Sequence, residues 1–255
     1  MNTGNKTAPI LPGGAVARQG DGSLEDCDIC PFRHIGFCAA VLGSSMGGGP
    51  IRKLEGTARI RQHIYRPGDA PGRVVVLREG WAIRFVLTPD GRRQILSILI
   101  PGDMVGGEAL IRDKVQTSLQ ALTPLTYCAF DVTELKNIAE SDPGLVWTFV
   151  DICFAGREAS EARIVDLGRR NAEQRIARLV LDLYRRLDER GLAEGLTIPF
   201  PLRQQTIADA LGLTQVHVSR TMTALRQAGA MHLQAGVLEI LDLQVLSDIA
   251  EIPRA

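Results

Sequence analysis

Several signals that would place this chain in a membrane or in a common enzyme class are missing from its sequence. It contains no run of about 18 apolar residues that could span a bilayer, and its first residues lack the charged and then apolar layout of a secretion signal. It also contains no G-x-S-x-G, P-loop or H-E-x-x-H motif. We therefore expect a cytoplasmic protein that does not bind a membrane and is not an enzyme.

The sequence also has no net charge and few histidines. The 29 lysines and arginines equal the 29 aspartates and glutamates, so no global positive field attracts nucleic acid and any DNA-binding surface has to be local. Only four histidines are present, and none forms an H-x-H pair in the β-rich region described below, which argues against the alternative of a cupin-like metal enzyme. The 255 residues suffice for two domains.

The stretch from residue 201 to residue 229 predicts two short helices joined by a tight turn. Gly212 supplies the left-handed position at which the first helix ends, and Thr214 is a good N-cap for the second. The second helix carries short, polar and basic side chains on its outward face, which suit the major groove. The pattern predicts a helix-turn-helix that binds double-stranded DNA, with an ordinary helical hairpin as the alternative. Its inward face is predicted at Val218, Met222 and Leu225, and its outward face at Val216, Ser219, Arg220 and Thr223.

Residues 59–131 have the spacing of an all-β domain. Short β-branched and aliphatic runs (VVVL, AIRFVL, QILSILI and LTYCAF) are separated by turn residues. The triplet Pro-Gly-Asp at Pro67–Asp69 and Pro101–Asp103 is expected to end a strand each time. Strands this short and this dense predict a double-sheet jelly roll.

A long helix is predicted after Asp142, followed by a winged helix-turn-helix. Its seam residues recur at spacings of four and three, which is typical of a coiled coil with the same helix of a second subunit. The alternative is that this seam packs on the sheet of its own chain. Polar residues in a seam cost dimer stability, so these positions predict a dimer that is in balance with its monomers and not a very tight one. Gly168 is expected to end this helix, Asn171 with Gln174 to start the next, and residues 231–242 to form the wing hairpin. The seam positions are Val150, Cys153, Arg157, Ser160, Ile164 and Leu167.

Five cysteines without an export signal favour metal or redox use over disulfides. Three of them form the pattern Cys27-x2-Cys30-x7-Cys38. With His34 between the last two, this segment offers four ligands to a structural zinc ion. Cys153 is expected only to pack in the helix seam.

A jelly roll, a long helix and a winged helix, in that order, resemble the CRP/FNR family of bacterial transcription regulators. The resemblance lies in R-P-G-D, I-P-G-D-M-V-G, R-R-N-A-E-Q-R-I-A and L-G-L-T-x-x-x-V-S-R. It implies an α+β regulator whose β domain is a sensor, which binds a palindromic promoter site as a homodimer and works with RNA polymerase. The expected segments are a disordered tail (1–23), a cysteine cluster and flexible joint (24–50), a β-roll sensor domain (51–141), a dimerisation helix (142–168) and a winged helix-turn-helix domain (169–255).

The family resemblance also suggests what is sensed. Cys27, Cys30 and Cys38, together with Cys128 on a strand of the roll, are similar to the four thiolates that hold a [4Fe-4S] cluster in FNR-type oxygen sensors, although the spacing of seven is longer than the usual five. Cyclic-nucleotide readers of the family need an Arg-Ser pair for the phosphate, whereas residues 115–118 read Val-Gln-Thr-Ser. We therefore expect an iron–sulfur oxygen sensor, with a structural zinc site or another small-molecule effector as the alternative, and no cAMP binding.

In the recognition helix, the resemblance assigns Ser219 and Arg220 to base and phosphate contacts. Gln215 and His217 are further DNA-binding candidates. Val216 stands where family members commonly carry a glutamate that accepts from cytosine N4. Because valine cannot accept a hydrogen bond, we predict that the G·C pair of the usual TTGAT-type half-site is relaxed or replaced by A·T.

Overall fold

The computed structural model describes residues 16–18, 25–44, 53–70 and 72–251. The chain divides into two compact units, one formed by Met1–Phe85 with Ile98–Ala155 and the other by Val86–Ser97 with Gly156–Ala255. None of the helices in these described ranges combines the length and the apolar character that crossing a membrane requires.

Two antiparallel sheets form the predicted jelly roll. Their strands are β1 (Val16–Arg18), β2 (Lys53–Ala58), β3 (His63–Tyr65), β4 (Arg73–Glu79), β5 (Ala82–Leu87), β6 (Arg93–Leu99), β7 (Met104–Val105), β8 (Ser118–Ala121) and β9 (Leu125–Asp131). The five-stranded sheet has the order β1-β2-β9-β4-β7, and the four-stranded sheet has the order β3-β8-β5-β6. The four apolar runs of the sequence correspond to β4, β5, β6 and β9.

The turns of the roll form where the two Pro-Gly-Asp triplets predicted them. Gly68 and Gly102 have φ angles of 91° and 90°, which only glycine adopts easily. A core of small and branched apolar side chains surrounds Tyr127, which is completely buried. The ring of Tyr127 crosses Gly56 on the neighbouring strand so closely that a Cβ at Gly56 would lie 2.2 Å from the tyrosine Cζ.

Helices cover one side of the five-stranded sheet. Phe37, Val41, Leu135 and Leu145 are buried there against Phe130 of β9. The helix after β9 was not predicted, although Asp131 is a good N-cap and accepts from the amides of Thr133 and Glu134. The helices are α1 (Glu25–Asp28), α2 (Gly36–Ser44), a 3-10 turn (Gly107–Leu110), α3 (Val132–Ser141) and α4 (Pro143–Arg169).

Two predicted boundaries are wrong. Val16–Arg18 of the tail pairs with β2, because main-chain hydrogen bonding to a sheet edge needs no apolar side chains. The flexible joint was expected to begin after the cysteine cluster, at residue 43, but α2 continues to Ser44. Helix α4 ends at Arg169, one residue after Gly168, where the sequence predicted its end. The remaining tail and joint residues, 1–15, 19–23 and 45–50, lie outside the described residues.

The second unit contains the winged helix-turn-helix. The expected capping box is present, since Asn171 accepts from the amide of Gln174 and the Gln174 side chain accepts from the amide of Asn171. The wing turns at Ala235 and Gly236, both with positive φ, as a two-residue hairpin requires. The elements are α5 (Ala172–Asp188), β10 (Thr197–Pro199), α6 (Gln204–Leu211), α7 (Gln215–Gln227), β11 (Met231–Gln234), β12 (Val237–Ile240) and α8 (Leu243–Ile249).

Candidate DNA-binding surface and candidate metal centre

The turn between α6 and α7 has the geometry of a helix-turn-helix. Gly212 has a φ of 63°, and the Leu213 amide donates to the Ala208 carbonyl as α6 ends. The Thr214 side chain then accepts from the His217 amide at 3.2 Å, so that α7 begins at once. The stop and the start predicted from the sequence are both confirmed.

Helix α7 has one buried and one exposed face. Val218 and Leu225 are buried and Met222 is half-buried, as predicted, and Thr221 joins them. The sequence analysis did not assign Thr221 to either face. Val216 is 60% exposed. The candidate DNA contacts are all exposed, namely Gln215, Val216, His217, Ser219 and Arg220.

The structure brings together the four predicted cysteine ligands. Cys27 lies in α1, Cys30 follows it and Cys38 lies in α2, while Cys128 lies in β9. The Cys30 amide donates to the Cys27 carbonyl at 3.2 Å, so a tight turn holds these two residues close. All four line one cavity together with Phe32, Arg33, Leu42, Val76, Leu77, Arg78 and Phe130.

The electrostatics of this cavity show that the four thiols are neighbours. Burial raises the pKa of Cys38 to about 12, with smaller contributions in the same direction from Cys128, Cys30 and Cys27. Burial likewise raises the pKa of Cys128 to about 11, and Lys53 opposes this shift. The thiolate form of each residue is therefore unfavourable until a cation or a metal compensates its charge.

One ligand of the zinc site considered from the sequence lies apart from the four thiols. His34 is exposed and does not line the cavity. Within the described ranges, no three His, Cys, Asp or Glu side chains converge on a position suited to a metal ion. Four cysteine thiolates are the ligand set that a [4Fe-4S] cluster takes.

Aromatic side chains connect the cysteine segment to α4. Phe37, next to Cys38, makes edge-to-face contacts with Phe130 of β9 and Phe149 of α4, each at 5.3 Å between ring centroids. Phe37 is only 4% exposed. A movement of the cysteine segment would therefore change the packing of Phe37 against α4.

The predicted seam of α4 faces solvent over most of its length. Cys153, Arg157, Ser160 and Ile164 are exposed, while Val150 and Leu167 are half-buried. The alternative, that the seam packs on its own sheet, is therefore wrong, because the adjacent side of α4, with Leu145, Phe149 and Ile152, does so. Next to the seam lie three exposed apolar residues that the sequence analysis did not single out, Trp147, Phe154 and Val165.

Comparison with known proteins agrees with this architecture. Residues 57–142 match a model of the cyclic nucleotide-binding domain, and residues 174–249 match a Crp-like helix-turn-helix domain. Together with the exposed face of α7, these matches define a DNA-binding transcription regulator and not an enzyme. The chain belongs to the CRP/FNR family.

Its relatives are regulators of the same kind. The nitrogen fixation regulation protein FixK of Bradyrhizobium diazoefficiens is 32% identical over 85% of this chain and 90% of its own length. The transcriptional activatory protein AadR of Rhodopseudomonas palustris is 33% identical over 84% and 88%. The solved structure of FixK2 from Bradyrhizobium japonicum matches 80% of this chain and 99% of its own with a TM-score of 0.72 and 24% identity, which supports the fold.

Proposed function

We propose that this regulator senses oxygen through a [4Fe-4S] cluster bound by Cys27, Cys30, Cys38 and Cys128. We also propose that it binds a palindromic promoter site as a homodimer and acts on transcription through RNA polymerase. The observation that carries the proposal is the meeting of these four thiols, three from the N-terminal segment and one from β9, at one cavity. In the FNR-type sensors that the sequence resembles, such a cluster supplies a centre that oxygen converts or removes.

The role of the cysteines in this chain is to fasten the N-terminal segment to the sheet. Cys128 is fixed, because β9 pairs with β2 on one side and β4 on the other. The other three cysteines lie on two short helices and the turn between them. With all four sulfurs bound to one centre, the segment is held against β9, and release of the sulfurs frees it.

Phe37 couples the position of the N-terminal segment to that of α4. Its ring packs against β9 and α4 at once, so the position of α2 biases the position of α4. The exposed seam of α4, with its neighbouring apolar side chains, suits a second copy of the chain. Pairing there would present two recognition helices to half-sites one DNA turn apart, about 34 Å. Oxygen then acts by shifting the population of paired subunits.

The proposal is tested by measuring binding to a palindromic CRP/FNR-type promoter fragment, first without air and then after exposure to air. We expect tight binding that air weakens in the wild-type protein. Cys128→Ala should bind weakly under both conditions. The control is Thr133→Ala, at an exposed position outside both the cavity and the seam, which should keep the response to air. Wild-type binding that does not change in air would contradict the proposal.

A further inference from the structure

One arginine side chain binds the carbonyl ends of two helices. Arg175 lies near the start of α5 and is half-buried. Its Nη2 donates to the Leu167 carbonyl at 2.7 Å, its Nη1 to the Leu211 carbonyl at 3.0 Å, and its Nε to the Arg170 carbonyl at 2.8 Å. Leu167 lies in the last turn of α4, Arg170 directly follows α4, and Leu211 is the last residue of α6. The guanidinium therefore joins the end of the long helix to the end of the first helix of the helix-turn-helix.

The chemistry of a guanidinium suits this position. The last carbonyls of a helix have no partner within the helix and form the negative end of its dipole, so a cation is stabilised there. The planar fork of arginine presents five donors in fixed directions, and here three different nitrogens each bind a different carbonyl. A lysine ammonium keeps the charge but holds its donors on one nitrogen, so it cannot reproduce this spread of acceptors.

The turn of the helix-turn-helix also packs closely on the end of α4. A Cβ at Gly212 would lie 3.4 Å from Cδ2 of Leu167 and 4.0 Å from Nη1 of Arg175. Gly212 ends α6, and α7 begins at Gln215. Because so few residues separate the two helices, whatever fixes the end of α6 also fixes where the recognition helix begins.

Arg175 is itself held in a fixed position. Asp166 of α4 forms ion pairs with Arg170 and with Arg178 of α5, each at 2.9 Å, and all three side chains are largely buried. These pairs fasten the start of α5 to the end of α4. Helix α5 also packs against α7. The guanidinium thus projects from a helix that cannot easily shift against α4.

We propose that Arg175 is the positioning residue that sets the placement of the recognition helix relative to α4, and thereby determines which spacing of half-sites the protein binds. It acts through α6 and its turn and not by contact with DNA. The inference rests on the proposed binding of a palindromic site by a homodimer paired along α4. In such a dimer, the separation of the two half-sites mirrors the separation of the two recognition helices.

The test compares Arg175→Lys with Arg185→Lys, which makes the same change in the same helix at a side chain that is 62% exposed. Their affinities are measured by fluorescence anisotropy, without air, for three promoter fragments: one with the usual family spacing of half-sites, one with a base pair removed between them and one with a base pair added. We expect the wild type and Arg185→Lys to prefer one spacing clearly. Arg175→Lys should bind that fragment about tenfold more weakly, the size of one lost hydrogen bond to a charged group, and should distinguish the three fragments less.

The comparison of spacings separates positioning from a structural role. A variant that is only less stable loses the same factor of affinity on all three fragments, and denaturant titration measures how much of it is folded. Equal weakening on the three fragments would therefore overturn the inference, as would an Arg175→Lys protein with the wild-type preference. Both results leave the proposed dimer intact. A wild-type protein that does not distinguish the spacings would overturn the inference together with the proposed binding of a palindrome.

Discussion

Replacing Phe37 by leucine should separate cluster binding from the control of DNA binding. Leucine keeps most of the apolar volume but loses both edge-to-face contacts, with Phe130 and with Phe149. Each such pair contributes about 0.5–1.5 kcal/mol beyond its buried area, and only the pair with Phe149 joins α2 to α4, so this connection weakens by about 0.5–1.5 kcal/mol. We choose leucine because alanine would cost about 3–5 kcal/mol and endanger the fold.

A coupling energy of this size corresponds to a change of roughly 2- to 13-fold in affinity. We therefore expect the ratio of promoter affinities without and with air to fall toward one in Phe37→Leu, while its iron content stays that of the wild type. Fluorescence anisotropy with a labelled promoter fragment measures this ratio.

Phe85→Leu provides the matched control for Phe37→Leu. Phe85 is equally buried, at 4% exposure, but it lies in the other sheet, where its ring contacts His63. We expect Phe85→Leu to lower the melting temperature and to leave the affinity ratio unchanged. If Phe37→Leu behaved in the same way as Phe85→Leu, transmission through Phe37 would be refuted.

Two further predictions concern the roll and the recognition helix. Gly56→Ala should lower the free energy of unfolding by at least about 1–3 kcal/mol, because the new Cβ would overlap the buried Tyr127 ring. The control is Gly43→Ala in α2, whose Cβ would meet no neighbour and which should leave the fold intact or slightly stabilise it. Denaturant titration of both variants measures the two free energies of unfolding. Val216→Glu should raise preference for a G·C pair in the half-site by about 1–3 kcal/mol, and binding-site selection that returns the same TTGAT-type sequence for both proteins would contradict this.

The helix-turn-helix could be predicted because its signals are local. Gly212 and Thr214 determine where one helix ends and the next begins, whatever the rest of the chain does. The end of α4 could be predicted for the same reason, since Gly168 gives a local signal for a helix end and the helix ends one residue later, at Arg169.

The candidate metal site could be predicted only in part. The spacing of Cys27, Cys30 and Cys38 identified the ligands from the N-terminal segment, but the sequence could not exclude His34, whose exposure depends on how that segment packs. Phe37 gave no signal. Its role depends on contacts with α4 and β9, which lie far away along the chain.

Iron and acid-labile sulfide in protein purified without air test the central claim most directly. The account predicts four of each per chain, together with broad visible absorption that fades on exposure to air, because a [4Fe-4S] cluster needs all four cysteines of the cavity. A colourless protein that contains zinc, or no metal, would contradict it.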